Sequence, residues 1–234
     1  MSELKIITGN IFTTQYQTIV NTVNCVGVMG AGIALECRFR YPAMFQQYLK
    51  YCEAGQIDIG ILWIYKADDR WILNFPTKKH WKYPSKEAYL HAGLKKFMET
   101  HAAKGVTSAA FPVLGGQHGG LGVEQSIGIM ESYLRHCSIP IEIYQYDPMA
   151  TDDVFDKFKE RIGTLDLQVL KRRTGLRIDY IERIREALKN PDLRQLNQLA
   201  QVQGIGDKTL EKAFAFVRDQ AEADEASCQF GLGL

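Results

Sequence analysis

The stretch Val20-Asn21-Thr22-Val23-Asn24-Cys25-Val26-Gly27-Val28-Met29-Gly30-Ala31-Gly32-Ile33-Ala34 joins a strand-like run to a helix-like run through a glycine-rich loop. Its β-branched residues favour a strand that ends at Asn24, and the helix is predicted to open at Gly32. Backbone N–H groups and a helix N-terminus here would attract a phosphate or pyrophosphate, while Asn24 would hold a ribose hydroxyl. The alternative is a tight turn in which the glycines serve only to adopt positive φ.

A second glycine-rich stretch is Phe111-Pro112-Val113-Leu114-Gly115-Gly116-Gln117-His118-Gly119-Gly120-Leu121. Four glycines after an apolar strand let a ligand approach the backbone closely. Two such loops, each at a strand end, suit the two ends of a diphosphate. His118 has two interpretations, a general base or a ligand-facing or solvent histidine, and its place inside a glycine loop favours the second.

A third stretch, Asn74-Phe75-Pro76-Thr77-Lys78-Lys79-His80-Trp81-Lys82-Tyr83-Pro84-Ser85-Lys86, places cations beside aromatic rings. The strand is predicted to break at Pro76. A solvated charge run would explain Lys82 and Lys86, but aromatic side chains between cations also suit single-stranded nucleic acid. A lysine whose pKa is lowered by burial can act on a sugar's anomeric carbon as a nucleophile or electrostatic catalyst.

Strand-like and helix-like segments alternate through the first 147 residues, which predicts an α/β fold with helices covering a sheet. Strands are predicted at 4–8, 18–23, 61–66, 70–75, 106–114 and 139–146, and helices at 32–52 (broken at Pro42), 86–101 and 123–137. Beyond a boundary near 148–152 only helices are predicted, at 152–161, 166–173, 178–189 and 193–200, with no internal repeat evident. The predicted domains are therefore 1–150, a helical region 151–221 and a disordered tail 222–234.

Composition excludes several classes of protein. With 28 Lys+Arg against 27 Asp+Glu the formal charge is +1, so a basic nucleic-acid site would have to be local. The five cysteines lack CxxC spacing, which argues against a disulfide framework and a zinc site. Neither a signal-peptide core nor an 18-residue apolar run is present, so we expect a cytoplasmic protein without a membrane span.

Together the three stretches resemble the macrodomain family, and more narrowly the DarG-type DNA ADP-ribosyl glycohydrolases, antitoxins of DarT toxins. The resemblance covers about residues 3–147. The glycine loops are generic to macrodomains, whereas Asn-Phe-Pro-Thr-Lys and His-Trp are typical of the DNA-directed branch. It implies a three-layer α/β/α fold with a mixed central sheet, ADP-ribosylated DNA as substrate, a DarT-like toxin as a partner, and neither cofactor nor metal.

The resemblance also implies residue roles. Lys78 and Asn24 become the catalytic residues, and His80, Trp81 and Lys82 contact DNA. Asn10 stands where many macrodomains have an adenine-binding aspartate, and its carbonyl oxygen can accept from the adenine amine. The implied ADP-ribose site comprises Asn10, Ile11, Asn21, Gly30, Ala31, Gly32, Ile33, Thr77, Leu114, Gly115, Gly116, Gln117, His118, Gly119, Gly120 and Leu121.

Two departures from the family pattern bear on the chemistry. Protein-directed relatives pair the lysine with an acidic residue in the second glycine loop, where this chain has Gly119. In addition, Gly116-Gln117 replaces a common Gly-Cys-Gly. The favoured function is removal of ADP-ribose from thymidine in single-stranded DNA. The alternatives are removal of ADP-ribose from protein side chains and a non-catalytic ADP-ribose reader.

The C-terminal run from Leu196 to Ala213 resembles one helix-hairpin-helix motif. In that family a Gly-Ile-Gly hairpin, here Gly204-Ile205-Gly206, offers N–H groups to a DNA phosphate, and Lys208 follows it. The alternative is an ordinary packed helical turn in which Gly204 ends one helix and Asp207 begins the next. Because residues 151–219 carry about as many acids as bases, charge alone gives DNA binding no strong support.

Overall fold

A computed structural model describes residues 3–230, which form two compact units that divide between Asp147 and Pro148. The N-terminal unit is built on one six-stranded sheet. Its strands are β1 (Leu4–Gly9), β2 (Thr18–Asn24), β3 (Trp63–Lys66), β4 (Trp71–Lys78), β5 (Ala109–Pro112) and β6 (Ile141–Tyr146). Their order is β1-β6-β5-β2-β4-β3, and only the β3–β4 pair is antiparallel. The predicted mixed sheet is confirmed.

Helices cover both faces of this sheet. They are α1 (Gly32–Arg40), α2 (Pro42–Glu53), α3 (Glu87–Thr100) and α4 (Val123–Leu134), with a short 3-10 turn at Ile11–Thr13. The break at Pro42 is confirmed, since proline fits the first turn of α2 but not the interior of one long helix. One buried cluster packs Phe75, Phe97 and Phe111 under α3 and α4. A second packs Ile19, Val23, Met44 and Tyr48 under α1 and α2.

Strand β4 does not break at Pro76 as predicted but continues to Lys78. The ladder with β2 shifts register at this point, so that Val23 pairs with Pro76 and Asn24 with Lys78. A bulge tolerates proline because it does not require the missing N–H of a regular ladder. The bulge therefore keeps Lys78 in the sheet, directly beside the end of β2.

The C-terminal unit contains α5 (Phe155–Thr164), α6 (Leu167–Thr174), α7 (Ile178–Ala187), a 3-10 helix at Leu196–Gln201 and α8 (Asp207–Phe230). The backbone of the predicted tail is helical as far as Phe230. The rest of that tail, 231–234, lies outside the described residues. Within 3–230, no helix is both long and apolar enough to cross a bilayer.

The packing of α3 on the sheet gives a test of the N-terminal core. A Cβ at Gly93 would lie 2.1 Å from Cζ of Phe75, so Gly93→Ala should destabilise this unit by about 1–3 kcal/mol through overpacking. Gly128 of α4 has open space around its Cα, so Gly128→Ala should instead stabilise by about 0.5–1 kcal/mol through helix propensity. Urea unfolding followed by tryptophan fluorescence reports on this unit, which contains all three tryptophans. Equal effects of the two substitutions would contradict the packing.

Candidate functional site

The site lies where the parallel strands β2, β4 and β5 end at one edge of the sheet. Carboxyl ends of parallel strands are where open α/β sheets bind ligands. Here they bring Asn24, Lys78 and the loop after Pro112 to the same edge. The sequence does not show that these segments are neighbours, because β4 lies next to β2 in the sheet but some 50 residues further along the chain.

Asn24 organises the loop that follows β2. Its Oδ1 accepts from the backbone N–H groups of Val26 (3.0 Å) and Val28 (3.3 Å), and its Nδ2 donates to the carbonyl of Val28. The Tyr48 hydroxyl donates to the Asn24 carbonyl at 2.7 Å. The buried amide is thus engaged within the protein, so Asn24 acts here as a positioning residue rather than as an open ribose ligand.

The loop shaped by Asn24 leads to an exposed helix start. Gly30, Ala31 and Gly32 are exposed, Ile33 is half-buried, and the N-cap residue Ala31 supplies no side-chain cap to α1. The first N–H groups of a helix have no acceptor within the helix. An anion would satisfy them and would be favoured by the helix dipole.

The second glycine loop folds back tightly on itself. The N–H groups of Gly119 and Gly120 both donate to the Gly116 carbonyl, at 2.6 and 3.0 Å, and Leu121 donates to Gly115 at 2.9 Å. Gln117 and His118 are exposed, so the glutamine that departs from the family pattern points its side chain out of the loop. The side chain of Leu114 is buried, and its backbone carbonyl accepts from Ser126 of α4. Leu114 therefore supports the loop instead of lining an opening.

Gly119 cannot carry a side chain in this loop. A Cβ at this position would lie 2.2 Å from the carbonyl oxygen of Gly115. The loop conformation therefore excludes a carboxylate at the position where the resemblance places the acid of the protein-directed relatives.

Lys78 and His118 bring the two loops together. The Lys78 ammonium donates to the backbone carbonyl of His118, and partial burial lowers the pKa of this lysine. A Cβ at Gly32 would lie 3.0 Å from Cδ2 of His118, so the imidazole lies against the start of α1. One cation and two glycine loops consequently surround the same edge of the sheet.

Asn10, predicted to bind adenine, uses its side-chain amide within the protein. Its Oδ1 already accepts from the Phe12 N–H at 3.0 Å, as the cap of the 3-10 turn. That N–H fixes the amide orientation, because only the oxygen can accept from it. The amide oxygen therefore already accepts one hydrogen bond and keeps one lone pair, and Nδ2 is left buried without a hydrogen-bond partner among the described residues. Ile11, the next predicted residue, is buried in the turn.

Asn21 does not reach the site. It lies fully buried in the middle of β2, opposite Asn74 of β4, and its Nδ2 donates to Asn74 Oδ1 at 2.9 Å. Thr77 is also buried. Both residues belong to the sheet beneath the site, because alternate residues of a buried central strand face packed layers on either side.

The predicted DNA-contacting segment forms an exposed aromatic cluster. The His80 ring stacks on Trp81 with centroids 5.8 Å apart and lies 5.5 Å from the ring of Tyr83. Trp81 and Tyr83 are 48% and 65% exposed, and the Lys82 ammonium lies 5.2 Å from the Trp81 ring. Exposed rings with a neighbouring cation form the kind of platform on which unpaired bases stack.

Three supporting residues were absent from the sequence prediction. Asp58 forms an ion pair with Lys79, the neighbour of Lys78, and this pairing lowers the pKa of Asp58. Ser85 donates its backbone N–H to the Gly119 carbonyl at 2.8 Å. Tyr48 holds Asn24 as described above. Each acts through a contact between segments distant in sequence, so no local motif marks it.

The Macro domain family model matches residues 20–130. A DNA ADP-ribosyl glycohydrolase of Thermus aquaticus is 30% identical over an alignment of 270 residues that covers 96% of this chain and 75% of the relative. The macrodomain of Mycobacterium tuberculosis DarG aligns with a TM-score of 0.59 at 38% identity, over 62% of this chain and 98% of that structure. Thermosipho africanus DarTG in complex with ADP-ribose aligns with a TM-score of 0.57 at 30% identity, over 61% of this chain and 42% of that one.

The contacts of Asn24 give a test of loop organisation. Asn24→Ala removes two acceptor contacts and one donor contact from a buried site, and should lower the free energy of unfolding by about 1–3 kcal/mol. Asn24→Asp keeps the acceptors but sets an oxygen against the Val28 carbonyl, and should also destabilise. Gln15→Ala, at an exposed position, is the control and should have little effect. If Asn24→Ala unfolded in urea like Gln15→Ala, the positioning role would be wrong.

Proposed function

The chain belongs to the macrodomain family, in its DNA ADP-ribosyl glycohydrolase branch, and from this premise we propose that it removes ADP-ribose from ADP-ribosylated DNA. The observation that carries the proposal is the position of Lys78, a partly buried cation held between two glycine loops. A reader that only binds ADP-ribose has no need of such a lysine. The modified base is thymidine on a single strand. A DarT-like toxin attaches the ADP-ribose to it, and this protein acts as the antitoxin and partner of that toxin. Since the substrate is DNA, we place the reaction in the cytoplasm.

In this proposal the two loops hold the diphosphate of ADP-ribose. The exposed start of α1, residues 30–33, takes one phosphate. The loop 115–121 takes the other at Gln117 and His118, because the N–H groups of Gly116, Gly119, Gly120 and Leu121 already donate to carbonyls of the protein. Neither loop carries an acidic side chain that would repel the ligand. Anchoring the diphosphate would restrict the distal ribose to the region beside Lys78, and such positioning supplies a large part of catalysis.

Hydrolysis breaks the bond between the distal C1″ and the thymidine base. Lys78 acts in one of two ways. As a neutral amine it attacks C1″, the base leaves and takes up a proton, and water later releases the lysine from the adduct. As an ammonium it stabilises the departing base while water attacks C1″. Either route returns free ADP-ribose and an unmodified base, and the lowered pKa of Lys78 favours the first.

Two observations favour DNA over protein as the substrate. The second loop excludes the carboxylate at Gly119 that would serve the protein-directed chemistry. The exposed rings of Trp81 and Tyr83, packed against the half-buried His80, offer surfaces on which the bases that flank a modified thymidine would stack. Protein-linked ADP-ribose would have no use for such a platform.

The role of Lys78 is tested by turnover of a single-stranded oligonucleotide that carries ADP-ribose on thymidine. Lys78→Ala should lower the release of ADP-ribose by at least about a hundredfold, the usual scale for losing a group that acts on the reacting atoms. Lys79→Ala is the matched control, because Lys79 is the adjacent exposed lysine and pairs with Asp58. Equal losses in the two variants, or full turnover by Lys78→Ala, would refute the assignment.

The pH dependence separates the two routes. If the neutral amine attacks, the wild-type rate should rise with pH and level off above a pKa lower than the usual lysine value of about 10.4, because burial disfavours the ammonium. If the ammonium is the active form, the rate should instead fall above that pKa. The rates should be followed under saturating substrate, so that binding does not contribute to the profile.

The substrate class is tested at Gly119. Gly119→Asp should weaken ADP-ribose binding, measured by calorimetry, because its Cβ displaces the Gly115 backbone, and it should not create turnover of ADP-ribosylated glutamate on protein. Gly122→Asp adds the same charge three residues later at the N-cap of α4, where the nearest neighbour of a Cβ is 3.8 Å away, and should bind normally. Release of ADP-ribose from protein by wild type would overturn the preference for DNA.

A further inference from the structure

The C-terminal unit contains one structural element twice, at an offset of 29 residues from Gly175 to Gly204. Both glycines have positive φ, 62° and 82°, and each is followed by a buried aliphatic residue and then by an α-helix, α7 or α8. The equivalent buried positions are Leu170 and Leu199, Leu176 and Ile205, Ile181 and Leu210, Ile184 and Ala213, and Leu188 and Val217. The sequence prediction of no internal repeat was wrong.

The two copies also contact each other reciprocally. The Arg183 guanidinium, on α7 of the first copy, occupies the space where a Cβ of Gly204 would lie, with Nη1 1.9 Å from that position. Lys212 occupies the equivalent position in the second copy, and its ammonium donates to the carbonyl of Gly175 at 2.5 Å. A contact from i to j that is matched by its equivalent from j to i is the mark of an approximate two-fold axis.

Both hairpins are bordered by basic residues. The seven residues from Lys171 to Arg177 contain four cations and no acid. Lys208 follows the second hairpin after one acidic residue, Asp207, and Arg183 and Lys212 lie across the two glycines. Lys171, Arg172, Lys208, Gly175 and Gly204 are all exposed, so a polyanion has access to them. Arg177 is also exposed but forms an ion pair with Asp179 at 2.9 Å.

We propose that the two hairpins form a single surface that binds the phosphates of double-stranded DNA, with one hairpin on each strand. The two strands of a duplex are related by local two-fold axes, so a two-fold pair of equivalent basic hairpins meets equivalent phosphates on opposite strands. A single strand has no such symmetry. This contact is separate from the ADP-ribose site, and its residues include the predicted Gly204, Gly206 and Lys208 together with a first hairpin that the resemblance did not include.

The chemistry of the surface also favours a duplex over a single strand. Proteins that bind single strands combine cations with exposed aromatic rings on which bases stack. Among residues 148–218, Met149 is the only large apolar side chain that is exposed, and Tyr180 beside the first hairpin is half-buried with Arg177 and Arg183 against its ring. Contacts to phosphates without stacking suit the regular backbone of a duplex.

The test is binding of the full chain to an unmodified, fluorescein-labelled duplex, measured by anisotropy over a range of salt concentrations. The first-hairpin variant Lys171→Gln/Arg172→Gln and the second-hairpin variant Lys208→Gln should each weaken binding. Each should also reduce the slope of log affinity against log salt, by about one for every cation removed. Lys159→Gln, an equally exposed lysine on α5 outside both copies, is the control and should bind like wild type.

Three outcomes would overturn the proposal: no duplex binding at low salt, an equal loss in the Lys159→Gln control, or equal binding of the matching single strand with the same response to the variants. A loss confined to the Lys208→Gln variant would exclude the first hairpin and with it the two-strand arrangement. The substituted residues lie outside the hydrolase site and the probe carries no ADP-ribose, so their effect on binding does not depend on the hydrolase activity. A negative result would therefore leave the proposed activity standing.

Discussion

The pairing of β2 with β4 is the constraint on which the site depends. The two strands run parallel, and the register shift between Val23 and Asn24 sets Asn24 opposite Lys78. Beyond the ladder the association continues, since the Cys25 N–H donates to the carbonyl of Lys79 at 3.2 Å. A one-residue slip would turn Lys78 towards the other face of the sheet and away from both glycine loops. The buried Asn21–Asn74 hydrogen bond opposes such a slip, because any other register would break this bond while both amides stayed buried.

The local features of this fold could be predicted from sequence, because each rests on a rule that acts over a few residues. A proline inside a helical pattern predicts a break at its own position, and Pro42 does separate two helices. Strand ends followed by glycines predict an open edge of the sheet. Pro76 misled the same reasoning. Its missing N–H predicts a break, but the partner strand supplies a bulge, and a partner cannot be read from the segment itself.

The atoms of the site were harder to predict than its residues. Asn24 and Asn10 both have amides of the right type, yet their oxygens already accept from backbone N–H groups, those of Val26 and Val28 for Asn24 and that of Phe12 for Asn10. Short polar side chains commonly bond to backbone one to four residues away, which competes with a ligand for the same atom. The 29-residue repeat was missed for a related reason. Its copies share a glycine and apolar positions rather than a recognisable motif. The contacts of Arg183 with Gly204 and of Lys212 with Gly175 join residues distant in sequence, so only the structure shows them.

The hydrogen bond from Lys78 to the His118 carbonyl and the partial burial of Lys78 have opposite effects on the pKa of this lysine. A carbonyl oxygen favours the ammonium, whereas partial burial disfavours it, and burial is the effect that lowers the pKa. Once neutral, an amine can keep one N–H on the carbonyl while its lone pair points elsewhere. The bond then fixes the nitrogen and orients the lone pair without consuming it. Because His118 belongs to the loop proposed to take a phosphate, a ligand that orders this loop would also order the lysine. In the proposed route with a neutral lysine, diphosphate binding and orientation of the amine would thereby be coupled through a single backbone carbonyl.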